Sequence, residues 1–280
     1  MNMYLYQGLW VSGDAPQLPL ISRSYRYGDG FFESMRFEQG CIQYADLHES
    51  RIRKSTMLLK MNIPADFNLK LLETDIKEVL DSKNIASASV RCTFFREGEG
   101  RYTPKNPSTQ VITEVSATEF RGYPLNENGL SLGLYSELSK NANYTSTIKT
   151  NSALTYVMAG IHAEENNWDE CVIMNDSGRI AETVSSNIFT VNGEFINTPP
   201  LSEYCVDGVM RKVVMQLAGA YGYAVQENPI TPISLSAADE IFISNAIKGI
   251  QWVETYGGKT YKNATARKLS DMLNKPFLSQ

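Results

Sequence analysis

The stretch that decides the fold is Ser-Thr-Ile-Lys-Thr-Asn-Ser at residues 146–152, with Lys149 at its centre. A helical pattern at about 151–166 follows, and it carries Leu154, Val157 and Ile161 on one apolar face. We expect that face to pack inward, which would place Lys149 at a loop-to-helix or strand-to-helix junction that faces the interior. A lysine that loses its water there has a lowered pKa and can attack an aldehyde near neutral pH.

A second stretch, residues 178–189, reads Gly-Arg-Ile-Ala-Glu-Thr-Val-Ser-Ser-Asn-Ile-Phe and places Glu182 33 positions after Lys149. Glu182 is either an exposed acid at the end of a strand or a buried carboxylate that keeps a ring nitrogen protonated. A nucleophilic amine and a carboxylate for a ring nitrogen are together what pyridoxal phosphate (PLP) requires of a protein.

Composition excludes several other functions. The chain has 280 residues with 42% hydrophobic and 20% charged side chains, which is enough to bury a sizeable core in one large or two ordinary domains. Its net charge of −5 argues against a nucleic-acid partner. The sequence shows no apolar run that would span a bilayer and no signal-peptide pattern, so we expect a cytoplasmic enzyme without a membrane partner.

Cysteine and histidine usage adds to this interpretation. The four cysteines are widely spaced, without a Cys-x-x-Cys pair, so free thiols in a reducing compartment are expected. The histidines, His48 and His162, are far apart, and we therefore expect no metal site.

Periodicity predicts a mixed α/β chain with two lobes: a small N-terminal α/β domain at 1–118, a linker at 119–125, and a larger C-terminal domain at 126–280 that carries Lys149. Asp46 and Asn68 are the predicted caps of two helices, which end at Leu59 and near Leu80. A helix is also predicted at about 208–221. Strands are predicted at 31–37, 41–44, 87–95, 109–115, 130–135, 171–174, 187–191 and 240–244.

The segments around Lys149 and Glu182, together with Tyr-Gly-Asp-Gly-Phe-Phe-Glu at 27–33, resemble the PLP enzymes of fold type IV. The resemblance follows the same order along nearly the whole chain. This family contains branched-chain aminotransferases, D-amino-acid aminotransferases and aminodeoxychorismate lyases. It implies a two-domain fold, PLP as the cofactor, a small amino acid and a 2-oxo acid as substrates, and a homodimer.

The resemblance also implies residue roles. Lys149 matches the lysine that forms the Schiff base and carries the proton, Glu182 the acid at the pyridine nitrogen, and Arg51, in His-Glu-Ser-Arg at 48–51, the phosphate ligand. Ala246 stands where branched-chain aminotransferases have a threonine, so that phosphate contact is left to the backbone, Ser244 or Asn245. The further cofactor contacts implied are Ser185, Ser186, Asn187, Gly208, Val209, Met210, Asn245 and Ala246.

The substrate side distinguishes the subgroups less clearly. Leu154 replaces the tyrosine of branched-chain aminotransferases, Ser34 keeps the hydroxyl that lyases have as threonine, and residues 96–104 resemble a lyase loop. Residues 185–187, by contrast, resemble the D-amino-acid enzymes. The substrate contacts implied are Arg26, Tyr27, Phe32, Ser34, Arg91 and Ile247.

Arg26 and Arg91 favour a dicarboxylic substrate such as glutamate. The departure from the branched-chain pattern at Leu154 favours its D-form. We therefore expect an aminotransferase acting on D-amino acids or on branched-chain or glutamate-type substrates. The alternative is a 4-amino-4-deoxychorismate lyase that releases pyruvate and 4-aminobenzoate for folate synthesis, and a homologue without turnover is a third possibility.

Overall fold

The computed structural model describes residues 2–12, 22–65, 67–106 and 108–278. Its backbone contacts divide the chain into two units, Met1–Arg121 with Ile148–Ser152, and Gly122–Thr147 with Ala153–Gln280. The change of unit at Arg121 lies inside the predicted linker. Lys149, however, is grouped with the first unit, whereas the sequence had placed it in the C-terminal domain.

The first unit is an antiparallel sheet covered on one face by helices. Its strands are ordered β2-β1-β6-β5-β3-β4. Among the described residues, strands β1 to β6 are Asn2–Tyr6, Leu9–Ser12, Gly30–Glu38, Cys41–Ile42, Ser87–Arg96 and Thr109–Thr118. Helices α1 to α3 are Arg23–Tyr27, Ala45–Leu59 and Leu69–Asp81.

Alternation along β3 gives this sheet two different faces. Phe31, Met35 and Phe37 are buried in the core with Ile52 of α2 and Ile76 of α3. Phe32 and Ser34 point to the other face and are only half-buried. The half-buried face is therefore the one that can present side chains to a small molecule.

The second unit is built on a nine-stranded mixed sheet in the described residues, in the order β12-β11-β10-β13-β14-β7-β8-β9, with β15 paired to β14. Strands β7 to β15 are Leu130–Lys140, Glu170–Asn175, Ile180–Thr183, Asn187–Asn192, Phe195–Thr198, Ala224–Glu227, Glu240–Asn245, Gly249–Tyr256 and Lys259–Thr260. Helices α4 to α7 are Leu154–Glu165, Val209–Ala220, Pro232–Ala237 and Ala264–Leu278.

The mixed α/β class predicted from the sequence is confirmed, and most predicted elements lie within two residues of the observed ones. Asn68 caps α3 as predicted, since its side chain accepts from the amides of Lys70 and Leu71. The cap predicted at Asp46 is wrong: Tyr44 is the N-cap residue of α2, and Asp46 lies in the first turn. Elements that the sequence did not predict are α1, α6, α7, β9, β11, β12, β14 and β15.

The predicted inward face of α4 is also wrong. Leu154, Val157 and Ile161 are 68%, 53% and 44% exposed, whereas Ala159 and Ala163 are buried. The helix packs its small side chains against β7 and β8, because small residues allow the helix to approach the sheet closely. The branched side chains are left on the outer surface as an apolar stripe.

No helix in the described ranges is long and apolar enough to cross a membrane. Within the same ranges no group of His, Cys, Asp and Glu side chains has the arrangement of a metal site. Cys92, Cys171 and Cys205 are buried free thiols, and burial raises the pKa of Cys92 to about 12.

Candidate active site

Lys149 lies on a short segment that pairs with the beginning of β3. Its carbonyl accepts a hydrogen bond from the amide of Phe32 (2.9 Å), and the amide of Asn151 donates to the carbonyl of Gly30 (3.0 Å). A side chain at Gly30 would overlap the carbonyl oxygen of Phe94 and come within 2.6 Å of Asn151 Nδ2. The glycine is therefore required because the lysine segment lies directly against it.

Gly28 has a related role. Its φ of +61° is in the left-handed region, where glycine carries no steric penalty. A Cβ there would also be 2.6 Å from Ser152 Oγ. Both glycines of the Tyr-Gly-Asp-Gly motif thus make room for the segment that carries Lys149, which gives a physical reason for two motifs that are far apart in sequence.

The ring of Phe32 is shared by two cations. Lys149 Nζ lies 5.1 Å and Arg91 Cζ 3.6 Å from the ring centroid. In the sheet register Arg91 stands opposite Ser34 on one side and Glu114 on the other. Burial lowers the pKa of Arg91, and the nearby Glu114 carboxylate opposes that shift. Lys149, Phe32 and Arg91 are thereby brought together, with Ser34 next to Arg91.

The other predicted substrate residues of this unit, Arg26 and Tyr27, lie on α1. Arg26 is exposed, and the Tyr27 ring packs 5.6 Å from Tyr102. The helix is held by Arg23, which donates to Asp29 (2.7 Å) and to the carbonyl of Gly100 (3.0 Å). The loop at 96–104 is therefore fastened to α1 by a buried arginine that the sequence did not single out.

Arg51 meets Glu33 and His48 on the helix-covered face of the sheet. Arg51 Nε donates to Glu33 Oε2 at 3.1 Å, its Nη2 also donates to this carboxylate, and His48 Nδ1 lies 2.5 Å from Oε1. Burial alone would raise the pKa of Glu33, but Arg51 and His48 outweigh it and bring the pKa to about 2. Arg51 thus binds a structural carboxylate, and its phosphate role stays a prediction.

In the second unit, Glu182 is the centre of a buried hydrogen-bond network. Its Oε1 accepts from Lys140 Nζ (2.5 Å) and from the hydroxyl of Tyr156 (2.6 Å). Its Oε2 accepts from the amide of Val206 (2.9 Å). Glu182 is therefore a buried, oriented carboxylate, as the sequence suggested, but its three partners were not predicted.

The network continues from Val206 to the start of α5. The carbonyl of Val206 accepts from Asn187 Nδ2 (2.9 Å), and Asn187 Oδ1 occupies the position that a Cβ on Gly208 would need. Helix α5 begins at Val209 without a side-chain cap. The first amides of a helix lack partners within the helix and bind anions, so this end can receive a phosphate.

Two further predicted residues lie beside this helix start. Ser244 stands opposite Asn187 in the sheet register, and its buried hydroxyl makes no hydrogen bond within the described structure. Asn245 Nδ2 donates to Ser186 Oγ (3.0 Å), and Asn245 Oδ1 accepts from the amides of Ile247 and Lys248. The turn that contains Ala246 and Ile247 is therefore fastened to the Ser185–Asn187 turn.

The family model for Amino-transferase class IV matches residues 30–256, which include Lys149, Glu182, the Ser185–Asn187 turn and the turn that contains Ala246 and Ile247. The chain belongs to the class IV aminotransferase family. It is a PLP-dependent enzyme, a transaminase or a lyase.

Relatives carry different activities. An aminodeoxychorismate lyase of Vibrio harveyi is 29% identical over 251 residues, covering 86% of this chain and 88% of the relative. A D-alanine aminotransferase of Bacillus licheniformis is 25% identical, covering 91% and 89%. The structure of the branched-chain amino acid aminotransferase of Escherichia coli superposes with a TM-score of 0.86 at 22% identity, covering 99% and 95%. Its likeness establishes the fold of this chain as fold type IV.

The residues present fit PLP. Its phosphate suits the uncapped start of α5, where Gly208 leaves no side chain in the way and Ser244 offers a buried hydroxyl. Lys149, in the first unit, has the amine and Glu182, in the second unit, has the buried carboxylate that PLP chemistry requires, and both roles stay predictions. Ser185 is less suited to a cofactor contact, because it is exposed and its hydroxyl donates to Glu170.

A pH prediction follows from Glu33. A carboxyl whose pKa is lowered on folding stabilises the protein above its unfolded pKa of about 4.5, and this contribution disappears as the pH falls towards about 2. Glu33→Gln should lower stability at pH 7 by on the order of 3 kcal/mol. It should also flatten the loss of stability between about pH 4.5 and 2. Urea unfolding across this pH range measures the effect, and Glu49→Gln, at an exposed position, is the control. Parallel pH profiles of the two variants would contradict a lowered pKa of Glu33 in the folded protein.

Proposed function

We propose that this protein is a PLP-dependent transaminase that moves an amino group between a dicarboxylic amino acid, such as glutamate, and a 2-oxo acid. The observation that carries the proposal is that the Lys149 amine and the Arg91 guanidinium both lie over the ring of Phe32. A cation that recognises carboxylates thus lies close to the proposed nucleophile.

Lys149 and Glu182 have complementary tasks in this proposal. When bound, PLP supplies the aldehyde for the amine and the electron sink for the substrate carbanion. The Lys149 amine is the nucleophile, and after release it carries the proton from the substrate Cα. Glu182 would accept a hydrogen bond from the ring nitrogen of bound PLP and so favour its protonated form. Fixing the Lys149 backbone to β3 orients the amine and reduces the entropy lost in each step.

Arg91 would bind the second carboxylate of the substrate. Its guanidinium carbon lies 3.6 Å from the centroid of the Phe32 ring, and a guanidinium can make a two-point contact with a carboxylate. Glu114, which stands opposite Arg91 in the register, would compete for the guanidinium when the substrate has no negative charge. We extend the proposal to the D-form of the amino acid, because Leu154 and the 185–187 segment differ from the branched-chain pattern.

The second candidate is 4-amino-4-deoxychorismate lyase. It is favoured by Ser34, whose half-buried position is opposite Arg91, and by the similarity to the Vibrio harveyi lyase. Its substrate also carries two carboxylates, so Arg91 suits both reactions. The difference lies in the fate of the carbanion: the transaminase returns a proton, and the lyase expels pyruvate and forms an aromatic ring.

For the phosphate, we propose Arg51, the amides of Gly208, Val209 and Met210, and the turn at Asn245 and Ala246. Ser186 and Asn187 would hold that turn and the start of α5 in place. Tyr27, Arg26 and Ile247 remain proposed substrate contacts.

Lys149→Ala should lower turnover by several orders of magnitude, because it removes both the nucleophile and the proton carrier. It should also abolish covalent trapping of PLP by borohydride, measured by mass spectrometry of the intact chain. Lys77→Ala, which removes an exposed ion pair with Asp81, is the control and should behave as wild type. A Lys149→Ala protein with the wild-type turnover rate would contradict the role of Lys149 as nucleophile and proton carrier.

Arg91→Ala should raise the Michaelis constant for the dicarboxylic substrate about 10- to 100-fold, since a lost charged hydrogen bond costs roughly 1.5 to 3 kcal/mol. Both reactions should be measured on one preparation, by transamination of D- and L-glutamate and by pyruvate release from aminodeoxychorismate. Rapid 4-aminobenzoate formation without transamination would reject the transaminase and support the lyase. In that case Ser34→Ala should slow pyruvate release.

We also propose a homodimer and a cytoplasmic location. The exposed stripe of Leu154, Val157 and Ile161 supports an interface, because contiguous apolar surface is seldom left in water. Buried free cysteines suit a reducing compartment. Val157→Glu with Ile161→Glu should halve the mass in sedimentation velocity, whereas glutamate at the exposed Tyr25 should not. A wild-type protein that sediments as a monomer would contradict the dimer.

A further inference from the structure

Lys140 is a buried lysine at the end of β7 that the family motifs do not include. Its side chain is 6% exposed, and that of its partner Glu182 is 4% exposed. Lys140 Nζ contacts Glu182 Oε1 (2.5 Å), the Tyr156 hydroxyl (2.8 Å) and the carbonyl of Ser146 (3.0 Å). An ammonium has three protons to donate, so these three contacts use its full capacity.

The hydrogen bonds described for Glu182 do not use all the acceptor positions of its carboxylate. A carboxylate accepts about two hydrogen bonds on each oxygen. Oε1 already accepts from Lys140 and Tyr156, and Oε2 accepts from the Val206 amide. One acceptor position on Oε2 is left over by these three contacts.

Tyr156 takes part as a donor. Burial raises the pKa of Tyr156 well above its ordinary value, and the Glu182 charge and hydrogen bond raise it further. The hydroxyl therefore keeps its proton and gives it to Oε1. With Lys140 it fixes the rotation of the carboxylate.

We propose that Lys140 is a positioning residue, which compensates the buried charge of Glu182 and turns the remaining Oε2 acceptor towards the ring nitrogen of PLP. The second part rests on the proposed role of Glu182 as the partner of that nitrogen. Without the cofactor, Lys140 is the cation that neutralises Glu182. With the cofactor, the protonated ring brings a second positive charge to the same carboxylate.

This arrangement has a measurable consequence. A buried carboxylate that loses its cation is strongly destabilised. Removing Lys140 should therefore harm the cofactor-free protein most, and the protonated ring should partly replace the missing charge. A lysine that merely packs in the core would stabilise both forms equally.

The first experiment uses the cofactor-free full chain in a double-mutant cycle. Lys140→Met removes the charge at similar length, and Glu182→Gln removes the carboxylate charge. We expect Lys140→Met to lower Tm by roughly 5 °C or more beyond its effect in the Glu182→Gln background. Lys140→Arg should keep most of the stability. Equal losses in the two backgrounds would overturn the proposal.

The second experiment adds PLP and measures the rise in Tm. Lys140→Met should show a larger rise than wild type. Lys259→Met, which removes a lysine that donates to the carbonyls of Ser236 and Ala238, should show the wild-type rise. An equal or smaller rise in Lys140→Met would overturn the proposal that Lys140 and the ring nitrogen act on the same carboxylate.

The two proposals fail in different ways. A wild-type chain that binds no PLP overturns the proposed function and the ring-directed part, while the charge compensation is still decided by the cofactor-free cycle. If Lys140→Met alone does not fold, the double variant decides: folding restored by Glu182→Gln supports the pairing, and failure to restore it rejects the pairing.

Discussion

The position of Lys149 depends on the pairing of residues 148–152 with the start of β3. Two backbone hydrogen bonds join Phe32 to Lys149 and Asn151 to Gly30. They fix the lysine backbone to a strand whose other edge is paired over nine register positions with β5. A strand held in this way cannot slide, because a shift by one residue would exchange its core and solvent faces. The backbone of Lys149 is thus fixed to a strand that is extensively paired within the first unit.

Buried charge is the second constraint, and each unit resolves it locally. Glu33 lies in the core of the first unit with Arg51 and His48, and Glu182 lies in the second with Lys140 and Tyr156. A buried carboxylate without a cation would cost several kcal/mol. The two clusters differ in what they hold: the Glu33 cluster connects α2 to β3, and the Glu182 network keeps its carboxylate in one orientation. Arg51 can serve a phosphate only to the extent that its bonds with Glu33 allow.

The sequence predicted elements correctly where a single residue or a single hydrophobic pattern indicates them. Asn68 caps α3, and the apolar patterns that predicted β3, β5 and β13 were read correctly. It failed where two signals compete. The apolar stripe of α4 was assigned to the core, but the sheet selected the alanine side of the helix. Lys140 was missed because β7 has a register irregularity after Tyr135 and the side chains at 136–139 are exposed, so the alternation that marks a strand is lost before the strand ends.

A few chemical groups in fixed order along the chain were enough to indicate the family and the cofactor, and they singled out Lys149 and Glu182 as candidates for the cofactor's chemistry. Only the tertiary structure decided which side chains surround them. Arg91 reaches Lys149 through the ring of Phe32, and Lys140 reaches Glu182 across 42 positions of chain. The physical reason is that strand pairing and register bring such residues together, and neither is encoded in the spacing of any single motif.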